Sequence, residues 1–163
     1  YNIFAGISFL PILWLFTILE DRPLYQISSP WVILTSIGQL IGVIVILLGI
    51  WQTNAGEFLG LVQIFREPST TQNQGLIITG IYRWVRHPLY FGGFLILWFT
   101  PIMTVNLLSL YVLLSLYLVI GARLEEKRLI HEFGECYRAY QKQTPQLIPK
   151  LKSRKMIRKD RMK

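Results

Sequence analysis

Two short polar runs hold the residues able to do chemistry. The first is Gly80-Ile81-Tyr82-Arg83-Trp84-Val85-Arg86-His87-Pro88-Leu89-Tyr90, and the second is Arg123-Leu124-Glu125-Glu126-Lys127-Arg128-Leu129. A histidine titrates near neutral pH, and adjacent carboxylates can take a proton or balance a bound cation. Pro88 holds the preceding backbone extended and removes a donor, which suits a turn that touches a ligand. Taken singly, each run also fits a structural role: Arg and His before an apolar stretch anchor a membrane interface, and a Glu pair can be a solvated helix face. Their joint placement argues for chemistry. Leu89–Ala122 separates them by 34 residues without a charge, and one helix of that length would run about 50 Å, against roughly 30 Å of hydrocarbon. Thr100-Pro101 and Thr104-Val105-Asn106 sit near its middle. Two helices, about Leu89–Met103 and Asn106–Ala122, joined by a tight turn, bring Arg86-His87 beside Glu125-Glu126 at one membrane depth.

Composition places this hairpin in a bilayer. Of 163 residues, 52% are hydrophobic and 16% are charged, against roughly 25% charged in soluble domains. Tyr1–Leu19 and Ile27–Thr53 also carry no charge. The fold expected is an all-α integral membrane protein with about four spans, near residues 1–19, 30–51, 89–103 and 106–122. Tyr1–Leu19 has neither a basic n-region nor a small-residue cleavage site and reads as a span, kinked at Pro11. A chain that starts at Tyr1 leaves an earlier helix open. Gly38-x-x-x-Gly42 in the second span permits close helix packing. The 36 residues of Gln52–His87 are too long for a simple connection, and Gly56–Phe65 within them has the spacing of an interfacial helix. Arg123–Gln141 repeats apolar residues at three and four, as an exit helix interrupted at Gly134.

Charge sets the orientation. With four spans, one side holds only Arg22 and the other holds the remaining 16 of 17 basic residues, so the long loop and the tail are expected in the cytoplasm. The net charge of +8 comes largely from the tail 150–163, which follows a single membrane domain over 1–149 and would attract anionic lipid. The tail interleaves no aromatic residue for base stacking, so nucleic acid is not the expected partner. The single cysteine, Cys136, excludes an internal disulfide and reads as a free thiol in a reducing compartment.

The run GIYRWVRHPLY, then EEKRLIHEFGECYRAYQKQTPQLIP, resembles the isoprenylcysteine carboxyl methyltransferase family, in the wider group of phospholipid methyltransferases, methanethiol S-methyltransferases and NnrU-like proteins. The matching pattern, G-x-Y-x-x-x-R-H-P-x-Y, a hydrophobic hairpin, E-E-x-x-L, F-G-x-x-Y-x-x-Y and T-P, covers Gly75 to Pro149. Trp98–Thr104 and Glu57–Leu61 resemble the methanethiol S-methyltransferase and NnrU-like branch. The resemblance implies S-adenosylmethionine as cofactor, in a pocket roofed by the polar loop and the exit helix. It implies contacts to the adenosine and methionine parts from Gln74, Gly75, Leu76, Ile77, Tyr82, His87, Pro88, Leu89 and Tyr90, with Glu125 and Glu126 facing the amino group or the sulfonium. Two positions depart from the pattern. Gln74 stands where the family often has His, and it hydrogen-bonds without charge. Gly121 stands where the prenyl-protein enzymes have a substrate-orienting Arg, and Arg123, two residues on, faces another side of the helix.

Methyl transfer by in-line displacement is therefore the expected reaction, to a thiol, a prenylcysteine carboxylate or a lipid amine, with an apolar acceptor entering from lipid. Arg123 and Glu125 are the candidate catalytic residues. Arg123 would hold an anionic acceptor or lower a thiol's pKa, and Glu125 would act as base. No metal is implied. Two rivals stand beside this reading: a haem-dependent isomerase of NnrU-like type, for which His87, His131 and Cys136 are the axial-ligand types, and a non-catalytic membrane subunit or assembly factor, whose basic tail would bind a protein partner.

Overall fold

The computed structural model describes residues 14, 20–53 and 76–149. The expected span over 1–19 (Trp14 apart), the interfacial helix over 56–65, Gln74, Gly75 and the tail 150–163 lie outside the described residues. The described residues are mostly helical. Helix α1 is Trp31–Gln52, α2 is Pro88–Trp98, α3 is Val105–Phe133 and α4 is Glu135–Gln143, with a 3-10 turn at Gly80–Arg83. Strands β1, Pro23–Gln26, and β2, Ile102–Thr104, pair antiparallel in a small ribbon.

Helices α1 and α3 are long and apolar enough to cross a membrane. Their large apolar side chains point outward: Leu40 is 58% exposed and Leu113 is 55% exposed. Water would penalise that surface and lipid solvates it. In α1 the buried residues are Gly38, Gly42 and Gly49. A Cβ on Gly42 would stand 2.7 Å from the carbonyl oxygen of Gly92, and one on Gly92 would stand 2.7 Å from that of Gly42. The Phe99 ring fills the space at Gly38, and Leu89 sits 3.4 Å from a Cβ at Gly49. The Gly38–Gly42 spacing is thus a real contact stripe, continued to Gly49, along which α1 and α2 run antiparallel. Lipid supplies no hydrophobic force between helices, so close backbone approach has to supply the contact. Gln39 Nε2 adds a hydrogen bond to the Ile96 carbonyl at 3.2 Å.

The expected hairpin is present, with three differences. Helix α2 stops at Trp98, five residues before Met103, because Thr100-Pro101 disfavours helix. The connection that follows is the strand β2, not a tight turn. Its backbone groups are taken up by the loop before α1, with Ile27 N donating to the Pro101 carbonyl at 2.8 Å and Val105 N to that of Arg22 at 3.0 Å. The Glu20–Ser29 loop and the Asn106 turn therefore meet, and the Asp21 carboxylate accepts the Asn106 N–H at 3.0 Å. Thirdly, the last span and the exit helix are one element. Helix α3 continues from Ala122 to Phe133 because that run holds strong helix formers and no Gly or Pro. It ends where Gly134 takes φ +55°. Antiparallel pairing of α2 and α3 is fixed by Trp98 Nε1 donating to Ser115 Oγ at 3.0 Å and Tyr90 Oη donating to Glu125 Oε2 at 3.0 Å.

Gly42→Leu is expected to destabilise the fold by about 1–3 kcal/mol through overpacking against α2. Gly93→Ala, whose Cβ meets only Leu118 at 3.6 Å, is expected to be neutral or stabilising by up to about 1 kcal/mol from helix propensity. Thermal unfolding in detergent, followed by circular dichroism, measures both.

Candidate active site

The site is built outward from the end of α1. Gly80 takes φ +58°, and the Gln52 side chain lies where its Cβ would be. Gln52 Oε1 accepts the Ile81 N–H at 3.1 Å, so the last turn of α1 sets the 3-10 turn that presents Tyr82. Val85 is buried, and His87 caps α2 with φ −120° before Pro88 at its first turn. Arg86 N and His87 N donate to the carbonyls of Pro145 and Gln146 at 2.9 and 3.1 Å, which draws the segment after α4 across this turn.

At the centre lie the residues that the hairpin was expected to bring together. Arg86 Nε donates to Glu126 Oε1 at 2.7 Å. His87 Nε2 stands 3.3 Å from the same oxygen. Gln141 Nε2 donates to Glu126 Oε2 at 2.8 Å. The Arg86 Nη1 group also donates to the carbonyls of Gln141, at 3.0 Å, and Thr144. Both oxygens of Glu126 are therefore committed inside the protein. Glu125 differs. Its Oε2 takes the Tyr90 hydroxyl and lies 3.5 Å from His87 Nδ1, while its side chain stays 47% exposed. His87 stacks on Tyr90 with ring planes 5° apart and centroids at 5.2 Å. One carboxylate is thus buried in a clamp, and its neighbour is oriented but open.

A cavity of about 310 Å³ opens here, at the low end of the roughly 300–1,000 Å³ usual for small-molecule sites. Its wall includes Thr53 from the end of α1, Leu76, Ile77 and Tyr82 from the loop, Arg86, His87, Pro88, Leu89 and Tyr90 from the start of α2, Glu125, Leu129, Glu132 and Phe133 from α3, and Tyr137 and Tyr140 from α4. Among the expected cofactor contacts, Leu76, Ile77, Tyr82, His87, Pro88, Leu89, Tyr90 and Glu125 line this one space. Glu126 stands behind the wall. Gln74 and Gly75 lie outside the described residues. Arg123 is exposed and is not in the wall, because two residues turn it about 200° around α3 from Glu125. His131 and Cys136 are not in the wall either. Among the described residues no group of three or more His, Cys, Asp or Glu side chains could hold a metal.

Sequence reasoning missed Glu132, Phe133, Tyr137 and Tyr140 as wall residues. The signal was present: Glu125, Leu129, Glu132 and Phe133 recur at helical spacing on one face, and Tyr137 and Tyr140 are three apart on α4. Both tyrosines are buried and pack edge to face with centroids at 5.9 Å. The Tyr140 hydroxyl donates to the Tyr82 carbonyl, tying α4 to the loop. Burial pushes both phenols above their usual range, helped at Tyr137 by the Glu126 charge and at Tyr140 by Tyr137. They stay neutral donors and ring faces.

A family model described as "Protein of unknown function (DUF1295)" matches residues 3–144. The chain belongs to this family. Among curated proteins, this DUF1295 chain is 38% identical over 112 residues to the methanethiol S-methyltransferase of Crocosphaera subtropica, covering 67% of the chain and 44% of the relative. It is 33% identical over 135 residues to the methanethiol S-methyltransferase of a Pseudomonas species, covering 78% and 50%. It is 35% identical over 127 residues to the protein-S-isoprenylcysteine O-methyltransferase of Xenopus laevis, covering 72% and 42%. These relatives bear out the expected family resemblance. The chain spans about half the length of the curated relatives it matches. No solved structure matches it.

Because burial raises both phenols, Tyr137→Phe and Tyr140→Phe are each expected to remove tyrosinate absorbance only from the part of the titration above pH 10.0. A folded pKa above the unfolded one means that their stabilisation is complete below that pH and is lost as pH rises further. Alkaline titration of tyrosinate absorbance tests the first statement. The second predicts that Tyr140→Phe flattens the alkaline fall in Tm.

Proposed function

We propose that this chain is the donor-binding membrane domain of an S-adenosylmethionine-dependent methyltransferase acting on a small neutral thiol at the cytoplasmic face. The observation that carries the proposal is the open carboxylate of Glu125, held by His87 and Tyr90 on a cavity rimmed by aromatic rings. That donor set fits a cationic ligand: a carboxylate balances an ammonium, and ring faces favour a sulfonium. Bound there, S-adenosylmethionine supplies an electrophilic methyl group. Glu125 would hold the amino group, Tyr82, Tyr137 and Tyr140 would give ring faces, and Leu76, Ile77, Leu89, Leu129 and Phe133 would cover the apolar part of the nucleoside. Glu125, or a water on it, would also accept the thiol proton as the new carbon–sulfur bond forms and the donor's sulfonium–methyl bond breaks.

The acceptor is read from charge. Arg86 is the cation in the described wall, and it is committed to Glu126 and to the Gln141 and Thr144 carbonyls. A carboxylate acceptor would lack a counterion there, whereas a small thiol needs none. The names of the methanethiol S-methyltransferase relatives favour the same class. Arg123 then serves as an exposed head-group anchor and not as a catalytic group. For the topology, four spans with the cavity end cytoplasmic are supported by the basic count of 16 against one and by the ribbon, which draws the Arg22 loop to the opposite end of the hairpin. The basic tail is assigned to anionic lipid.

Calorimetry with S-adenosylmethionine and with its demethylated product tests the reading. Binding is expected, and Glu125→Gln is expected to weaken it roughly tenfold or more, because a hydrogen bond to a charged group contributes about 1.5–3 kcal/mol. Radiolabelled donor with a small alkyl thiol is expected to give a labelled volatile thioether. No binding of either compound would overturn the proposal in favour of a non-catalytic membrane subunit.

A further inference from the structure

We infer that Arg86 and Glu126 are positioning residues whose ion pair latches the segment Glu135–Gln146 down as the roof of the cavity. The inference rests on the methyl-donor reading above for its ligand, though not for its geometry. Helix α4 has nine residues, too few to hold its own conformation in water. Its joint to α3 is Gly134 at φ +55°, where nothing lies within 4 Å of a Cβ position. Continuity with α3 therefore leaves the direction of α4 to other contacts: the Tyr140 bond to Tyr82, the backbone bonds to Pro145 and Gln146, and the Arg86–Glu126 pair, which joins the most elements.

The Arg86 guanidinium reaches two carbonyls at the end of α4, those of Gln141 and Thr144. Such carbonyls have no partner within a helix and carry the negative end of its dipole. The same guanidinium holds Glu126 on α3 at 2.7 Å, and Glu126 holds the Gln141 side chain at 2.8 Å. Arg86 and Glu126 side chains are 9% and 11% exposed, so water weakens the pair little. One ion pair thus ties the turn before α2, the C-terminal third of α3 and the end of α4. The ligand-facing consequence falls on Tyr137 and Tyr140, which α4 presents to the cavity. The pair acts on donor affinity through those rings and through His87, which shares Glu126 Oε1.

Two variants test the latch without removing a charge from the core. Arg86→Lys keeps the ion pair but loses the planar fork that serves two carbonyls as well. Gln141→Leu removes only the side-chain amide on Glu126 Oε2 and leaves the carbonyl bonds to Arg86. Hydrogen exchange of the ligand-free protein is expected to rise across residues 135–146 in both and to stay unchanged in α1. If the closed roof falls to about one tenth of molecules, the apparent Kd for the demethylated donor rises about tenfold. The donor's KM is expected to rise more than kcat falls. A wild type that binds donor while both variants bind it equally well, or unchanged exchange at 135–146, would overturn the latch. A wild type that binds no donor would overturn the proposed function, and the exchange measurement would still decide the latch.

Discussion

Glu126 places a carboxylate, 8% exposed, where a helix leaves an apolar layer. An unpaired charge there would be costly, so the surrounding chain has to supply partners. It does so from sites far apart in sequence: Arg86 and His87 before α2, and Gln141 on α4. Meeting that demand fixes the register of α2 against α3 and folds the C-terminal segment back across the turn. Neighbouring Glu125 inherits a defined position from the same arrangement, because its helix is held, while its own carboxylate remains open. A buried clamp beside an exposed carboxylate is what allows two consecutive glutamates to differ so sharply.

The rest of the fold brings the clamp residues within reach. Lipid gives helices no hydrophobic reason to associate, so α1 and α2 rely on the Gly42–Gly92 approach and on Phe99 seated at Gly38. That crossing leads directly to the site, since the end of α1 supplies Gln52 beneath Gly80 and Thr53 in the cavity wall. At the other end, the β1–β2 ribbon satisfies the backbone groups that Pro101 releases. The two ends of the hairpin thus do different work: one closes the backbone and the other gathers charge.

Much of this was legible in residue order. Uncharged runs located α1 and the hairpin, and the length of Leu89–Ala122 against bilayer thickness required a reversal that brings His87 to Glu125. The Gly38–Gly42 spacing anticipated a packing stripe, although not Gly49 or its partner Gly92. The ribbon was not legible, because Pro23–Gln26 and Ile102–Thr104 are short and gain strand geometry only by pairing. That the last span and the exit helix join without a break was not legible, because loss of hydropathy at Arg123 does not mark the end of a helix. Tyr137 and Tyr140 read as one face of an amphipathic helix, with no sign of what that face would cover.

Sequence by itself determined the class of the chain, its family and the pairing of two polar runs, because these follow from one-dimensional quantities: charge spacing, apolar length and motif order. Only the tertiary structure decided how Glu125 and Glu126 divide. They are adjacent and chemically identical, and helical rotation turns one toward Arg86 and the other toward the cavity. It also decided that Arg123 stands outside the wall and that Tyr137 and Tyr140 of α4 line it. Which face of a helix meets which neighbour depends on contacts between residues some 40 positions apart, and no local pattern encodes those.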